Sequence, residues 1–129
     1  RQLGDLSGER VMDKITLSLA AVDALARDAA RQIVPVDAVR APRVYAIPRG
    51  GIAAAYAIGR HAHFELVDDP AVADYIVDDL IDSGATMDKA QAQAQRTAHA
   101  FPPPAVVLID KPALDPGHPL KEAWIVFPW

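Results

Sequence analysis

The chain has no cysteine among its 129 residues, which excludes a disulfide framework and a thiolate metal site. No apolar run reaches the roughly 18–20 residues that a membrane-spanning helix needs, so we expect no membrane association. Residues 1–14 are polar and charged and do not have the form of a signal peptide. These absences predict a cytoplasmic protein.

Clustered positive charge is also lacking. The chain has 13 lysines and arginines against 17 aspartates and glutamates, for a net charge of −4. A nucleic-acid-binding surface gathers its cations on one face, so the scattered distribution predicts no nucleic-acid partner. The four histidines are dispersed and do not indicate a metal centre. The apolar fraction of 51% suits a single globular domain with a buried core.

Apolar periodicity predicts a long helix near the start of the chain. Apolar residues recur at spacings of three and four over residues 7–32, with Ser7 as the N-cap and Pro35 as the stop. We expect this helix to pack on the body of the domain. A subunit interface along the same face is the alternative, and we expect a homo-oligomer.

Strand and helix patterns alternate through the rest of the chain. They predict strands over residues 43–47, 64–67, 73–77, 105–109 and 124–127, and helices over residues 52–60 and 86–99. This alternation predicts an α/β fold with a parallel sheet and flanking helices. Ligands bind at the carboxyl ends of the strands in such sheets. Three polar segments (48–51, 78–86 and 110–111) follow strands directly and form the candidate site.

The most informative segment is residues 78–86, with the sequence Asp-Asp-Leu-Ile-Asp-Ser-Gly-Ala-Thr. A small-residue turn that opens a helix presents backbone N–H groups at the positive end of the helix dipole, which suits a phosphate. Neighbouring carboxylates can hold sugar hydroxyls or a magnesium ion. Helix capping would account for Asp82 and Ser83, but it does not require Asp78 and Asp79 as well.

The turn Pro48-Arg49-Gly50-Gly51 combines a guanidinium with glycines that let backbone N–H groups approach a ligand closely. Such a combination suits a pyrophosphate. Taken alone, the same residues would also be compatible with a flexible turn and a solvated arginine.

Together these motifs resemble the type I phosphoribosyltransferases. Residues 78–86 resemble the family's phosphoribosyl-pyrophosphate (PRPP) motif, and residues 48–51 resemble its pyrophosphate loop, where the peptide bond before the residue matching Arg49 is often cis. Residues 110–113 and 124–129 resemble the base-binding end of 6-oxopurine transferases, most closely the bacterial xanthine–guanine type. The resemblance implies a Rossmann-like core with a small C-terminal base-binding hood, within residues 112–129.

The resemblance implies transfer of the phosphoribosyl group from PRPP to guanine, xanthine or hypoxanthine, with release of pyrophosphate. It implies that Asp78 and Asp79 hold the ribose hydroxyls and Mg²⁺, and that Asp82 is a catalytic base for the purine proton. Arg49 is the other implied catalytic residue. The implied pyrophosphate contacts are Arg49, Gly50 and Gly51, and those to the 5′-phosphate are Ser83, Gly84, Ala85 and Thr86, beside Asp82.

At the base end, the resemblance implies that Lys111 donates to the purine 6-oxo group and that Trp124 stacks on the base. The backbone carbonyl of Ile125 would read the 2-position. An ammonium group meets the amino group of adenine donor to donor, so Lys111 favours oxopurines. A solvated strand end remains open for Lys111, and simple core packing for Trp124.

We therefore predict one phosphoribosyltransferase domain over residues 1–129, divided into an N-terminal helix (1–35), a core (42–111) and a base-binding segment (112–129). Family members usually carry a long flexible lid between the first core helix and the Asp-Asp strand. Only residues 61–73 separate those elements here. A non-catalytic PRPP- or nucleotide-binding regulator is therefore the alternative function, and a transferase for a pyrimidine or a modified base is a third.

Overall fold

Buried parallel strands with helices on both faces form the body of the protein. The computed structural model describes residues 13–95 and 101–129. Its elements are β1 (Lys14–Thr16), α1 (Leu19–Ala30), β2 (Arg43–Ala46), α2 (Gly50–Ile58), β3 (Glu65–Val67), β4 (Tyr75–Ile81), α3 (Ala85–Gln95), β5 (Ala105–Asp110) and β6 (Trp124–Val126). The main sheet has the order β3-β2-β4-β5 with every pair parallel. The predicted α/β fold is confirmed.

The central strand β4 supplies core residues to both faces of the sheet. Successive side chains of a strand point to opposite faces, so Val77 packs in the cluster that contains α1 and α2, and Ile76 packs in the cluster that contains α3. Both side chains are fully buried, as is Val44 in β2. Each contributes about 1.5–3 kcal/mol of transfer free energy. The carboxyl ends of the strands are thereby fixed in position.

The predicted helix over residues 7–32 is wrong at its start. Residues 14–16 form the strand β1, and α1 begins only at Leu19, after the N-cap Ser18. The hydroxyl of Ser18 accepts a hydrogen bond from the N–H of Ala21 at 3.0 Å, which satisfies one N–H at the start of the helix. The predicted cap, Ser7, lies outside the described residues.

β1 pairs in parallel with β6 in a second, two-stranded sheet. Ile15 lies opposite Ile125, and both side chains pack against the main core. The N–H of Trp124 donates to the carbonyl of Asp13 at 2.7 Å. The hood thus includes residues from the N-terminal segment, which the sequence pattern did not predict.

β4 is longer than the predicted strand over residues 73–77. It runs to Ile81, so Asp78 and Asp79 lie within the strand and not beyond its end. Pairing of Asp78 with Val107 and of Leu80 with Ile109 holds this part of β4 in the sheet. The acidic pair therefore has a rigid backbone.

The helix predicted over residues 86–99 is confirmed for Ala85–Gln95, and residues 96–99 lie outside the described part of the chain. The remaining predicted strands and helix are found within a few residues of their expected bounds. No helix in the described ranges is long and apolar enough to cross a bilayer.

Asp74 joins the loop before β2 to the start of β4. Its carboxylate accepts hydrogen bonds from Nη1 of Arg40 at 2.8 Å and from the backbone N–H of Arg43 at 2.8 Å, and its side chain is only 11% exposed. Burial raises the pKa of this carboxyl, but the hydrogen bonds from Arg40 and Arg43 outweigh burial and hold the pKa below its ordinary value.

We expect Asp74→Asn to lower the free energy of unfolding by about 2 kcal/mol at about pH 7. Because the folded-state pKa is lowered, the stabilisation is complete above the unfolded-state pKa and is lost as the pH falls through the folded-state value. Urea unfolding between about pH 7 and pH 3 should show the wild-type advantage shrinking in acid.

Asp28→Asn is the matched control, because the Asp28–Arg31 pair is 3.6 Å apart and its carboxylate is 72% exposed. Such a pair contributes about 0–1 kcal/mol. Equal losses of stability in the two variants would contradict the role of Asp74.

Candidate active site

The arginine–glycine turn leaves β2 beside the acidic pair of β4. The N–H of Ile47 donates to the carbonyl of Val77 at 2.9 Å, which continues the β2–β4 pairing to the end of β2. Arg49 follows Ile47 at the end of one strand, and Asp78 and Asp79 follow Val77 on the neighbouring strand. The two segments therefore lie side by side. The structure brings these two predicted segments together.

The third predicted segment lies on the other side of β4. Ile81 pairs with Asp110 at the ends of β4 and β5, so Asp82 and Lys111 leave neighbouring strands side by side. Neighbouring strands are about 4.8 Å apart, which places both residues at the same edge of the sheet. All three predicted segments meet at the carboxyl ends of β2, β4 and β5.

Two glycines allow the start of α2 to contact β4 directly. A Cβ on Gly51 would lie 2.6 Å from the backbone carbonyl of Val77, and one on Gly50 would overlap the carboxylate of Asp79. A side chain at position 51 would displace the backbone of β4, and one at position 50 would displace the carboxylate of Asp79. The peptide bond between Pro48 and Arg49 is cis, as the family resemblance implies.

The side chain of Arg49 is exposed beside this contact. Among residues 13–95 and 101–129, no hydrogen bond or ion pair involves its guanidinium group. A guanidinium offers five N–H donors in a planar fork, which matches a phosphate group. Arg49 is therefore available to an anionic ligand.

The turn from Asp82 to Thr86 surrounds a small cavity of about 110 Å³ at the N-terminus of α3. Gly84 has a φ of 92°, a conformation that favours glycine. The hydroxyl of Ser83 accepts a hydrogen bond from the N–H of Ala85 at 3.3 Å. Since the first N–H groups of a helix lack intrahelical acceptors, this turn can bind a phosphate through its backbone.

The carboxylates of Asp78 and Asp79 are neighbours in a half-buried position. The pKa of Asp78 is raised to about 7. Burial is the main cause, the hydrogen bond from the N–H of Asp79 at 2.8 Å acts in the opposite direction, and the adjacent negative charge adds to the rise. A bound cation would relieve both the loss of hydration and the repulsion between the two groups.

Asp78 and Asp79 are the residues that could hold a divalent cation. In the described part of the chain, no group of three or more histidines, aspartates or glutamates forms a metal cage. Mg²⁺ is commonly bound by one or two carboxylates together with substrate phosphates. The pair therefore fits a cation that is shared with a phosphorylated ligand.

Lys111 is buried, with 7% of its surface exposed, and its Nζ donates to the carbonyl of Ala123 at 2.7 Å. The interpretation as a solvated strand end is therefore wrong. Lys121 supports the same loop, because its Nζ donates to the carbonyl of Leu114 at 2.8 Å and to that of Lys111 at 3.3 Å.

Trp124 follows Ala123 directly and is 60% exposed, so simple core packing is also wrong for this residue. The contact between Lys111 and Ala123 places Trp124 near the end of β5. The side chain of Ile125, in contrast, is half-buried against the core. Any contact of Ile125 with a ligand would therefore involve its backbone, as the resemblance implies.

Sequence reasoning missed Trp129 as a part of this site. Its indole N–H donates to Oδ2 of Asp79 at 3.4 Å, and its ring stacks on Phe127 with centroids 5.1 Å apart. Sequence reasoning also missed Lys121, whose side chain donates to carbonyls of the loop that follows β5. The aromatic content of residues 124–129 was a signal for Trp129, but no local pattern shows that this segment folds back to β4.

Comparison with solved structures supports this architecture. No protein-family model and no curated protein matches the chain. Among solved structures, the crystal structure of a purine phosphoribosyltransferase from Pyrococcus horikoshii Ot3 aligns with 92% of this chain and 95% of its own, at a TM-score of 0.61 and 22% identity. This chain has the fold of that transferase. At this identity the likeness is one of fold, and site chemistry decides function.

The pKa of Asp78 predicts how stability changes with pH. Because the pKa is raised to about 7, the folded protein retains a proton that the unfolded chain has lost. The free energy of unfolding should therefore fall as the pH rises from about 4 to 7, and Asp78→Asn should remove this fall. We expect the variant to be more stable than wild type by on the order of 2 kcal/mol at about pH 8, allowing for solvent screening of a half-exposed group.

Urea unfolding between about pH 5 and pH 8 measures this difference. Asp82→Asn is the control, because Asp82 is exposed and has no hydrogen-bond partner among the described residues. Parallel pH profiles for wild type and Asp78→Asn would show that the prediction is wrong.

Proposed function

We propose that this protein is a purine phosphoribosyltransferase that transfers the 5-phosphoribosyl group of PRPP to a 6-oxopurine and releases pyrophosphate. The main observation in its support is the convergence of the arginine–glycine turn, the aspartate pair and the phosphate-sized turn at one edge of the sheet. The fold, shared with a purine phosphoribosyltransferase, is consistent with it.

Each polar part of PRPP has a counterpart in this site. The backbone of residues 83–86 would bind the 5′-phosphate, and Asp78 and Asp79 would bind the ribose hydroxyls. Arg49 and the N–H of Gly50 would bind the pyrophosphate, whereas the N–H of Gly51, also expected to do so, already donates to the carbonyl of Ile47 at 2.8 Å. The contact between Gly50 and Asp79 joins the pyrophosphate and ribose subsites directly. Mg²⁺, held by Asp78 and Asp79, would supply positive charge to neutralise the pyrophosphate.

In the proposed reaction, the bond between C1′ and the pyrophosphate oxygen breaks while a purine nitrogen bonds to C1′. Arg49 stabilises the negative charge that develops on the departing pyrophosphate. Asp82 accepts the proton that the purine loses, since its exposed carboxylate is free of other partners among the described residues. Positioning of the two reactants supplies much of the remaining acceleration.

The burial of Lys111 supports the proposed selection of a 6-oxopurine. Its ammonium group has three N–H donors, and the carbonyl of Ala123 accepts from one of them. The others need acceptors in a nearly dry environment, and a purine 6-oxo group is one. The exposed ring of Trp124 is available for stacking on the same base.

The second candidate function is a regulator that binds PRPP without catalysis. It is favoured by the short connection between α2 and β4, where β3 and the turn Pro70–Val72 occupy much of the chain and no long lid is present among the described residues. The buried Lys111 favours the enzyme, because a sensor of PRPP alone does not need a base-reading lysine.

A chromatographic assay with PRPP and magnesium chloride against guanine, xanthine, hypoxanthine, adenine, uracil and orotate separates the candidates. Nucleotide formed from a 6-oxopurine but not from adenine supports the transferase and the assignment of Lys111. Calorimetric binding of PRPP without product from any base supports the regulator. Product from uracil or orotate alone supports a pyrimidine transferase.

We expect Asp82→Asn to lower kcat by about 100-fold, the scale of general base catalysis, while the Kd for PRPP changes little. Steady-state kinetics and calorimetry measure the two effects separately. Asp115→Asn, in an exposed loop outside the site, is the control. Equal losses of binding and turnover would instead make Asp82 a residue that organises the PRPP site.

Lys111→Met removes the ammonium group but keeps a long apolar side chain. We expect it to reduce the ratio of kcat/KM for guanine over adenine by about 10- to 100-fold, because a donor to the 6-oxo group is lost. The control is Lys121→Met, which breaks contacts in the same loop. If Lys111→Met lowers kcat/KM equally for guanine and adenine, Lys111 has a structural role only.

A further inference from the structure

Trp129 contacts the proposed ribose subsite. Its Nε1 donates to Oδ2 of Asp79 at 3.4 Å, and its ring lies nearly parallel to that of Phe127, with 10° between the planes. Phe127 packs against the main hydrophobic core. The aromatic pair (Phe127 and Trp129) is therefore anchored at Phe127, while the indole of Trp129 is 46% exposed.

The contacted oxygen is confined on a second side as well. A Cβ on Gly50 would overlap Oδ2 of Asp79, so the backbone of α2 lies against this atom. A ribose hydroxyl that donates to Oδ2 must therefore approach from the remaining open directions. The indole of Trp129 occupies one of them, and its N–H is a donor that competes for the same acceptor.

We propose that Trp129 gates the ribose subsite. The indole donates to Oδ2 of Asp79, and in the proposed gate it moves away from this carboxylate before PRPP binds there. This movement costs little free energy, because it breaks a single long hydrogen bond and the ring is already half-exposed. The apparent affinity for PRPP is then reduced in proportion to the fraction of molecules in which Asp79 is open. This inference rests on the proposed function, because it assigns a role in PRPP binding.

Trp129→Phe tests the gate, since phenylalanine preserves a ring that can stack on Phe127 but has no N–H donor. Calorimetry with PRPP and magnesium chloride should show binding about three- to tenfold tighter than that of wild type, as expected for loss of one hydrogen bond to a carboxylate. Tyr56→Phe, at an exposed aromatic residue of α2, is the control and should leave the Kd unchanged.

Fluorescence provides a second readout. The chain has two tryptophans, so a Trp124→Phe background leaves Trp129 as the only one. PRPP should increase the quenching of Trp129 by acrylamide, because the indole moves away from Asp79 into solvent. Protection of Trp129 by PRPP would mean that the ring closes over the ligand, and it would overturn the gate.

The outcomes separate this inference from the proposed function. If wild type and Trp129→Phe bind PRPP equally, or if the variant binds more weakly, the gate is wrong and the transferase proposal stands. If neither protein binds PRPP, both the gate and the proposed function are wrong. Tighter binding by the variant, together with greater quenching, supports both.

Discussion

The close packing of α2 on β4 determines the geometry of the candidate site. It requires glycine at position 51, where a Cβ would meet the backbone carbonyl of Val77, whereas a side chain at position 50 would displace the carboxylate of Asp79. Buried alanines and Ile58 on the same helix hold the contact from the core side. The packing of this helix thus places the turn containing Arg49 beside the acidic pair. Parallel pairing of β4 with β5 then places Lys111 at the same edge of the sheet as Arg49 and the acidic pair.

The acidic pair is in conflict with its surroundings. Half-burial and mutual repulsion disfavour ionisation of Asp78, and the apolar clusters on the two faces of the sheet offset the resulting loss of stability. A purely structural strand gains nothing from two adjacent carboxylates at this position. Local conflicts of this kind are expected where a protein binds or transforms a ligand.

Local patterns in the sequence were sufficient to predict the parallel sheet and the position of three polar segments at the carboxyl ends of its strands. Alternating strand and helix periodicities, and small residues at 83–86, depend only on neighbouring positions in the chain. The helix start was mispredicted because Ile15 fits a helical stripe, whereas Ile15 and Leu17 also have the two-residue spacing of a strand. What decides between them is pairing of β1 with β6, at the opposite end of the described chain. The burial of Lys111 and the contact of Trp129 with Asp79 likewise depend on the folded hood.

The separation of the molecule into two sheets has a consequence for how its specificity can change. Arg49, the acidic pair and the phosphate turn all belong to the main sheet and its helices, whereas Trp124 belongs to the small sheet of β1 and β6. The ladders of the two sheets share no strand. If the proposed function is correct, a substitution of Trp124 would change the ring proposed to stack on the base, while Arg49 and the acidic pair would keep their positions in the main sheet. The small sheet still contacts the site, because Lys111 donates to the carbonyl of Ala123 and Trp129 donates to Asp79, so a change that displaces either contact would affect the main sheet as well.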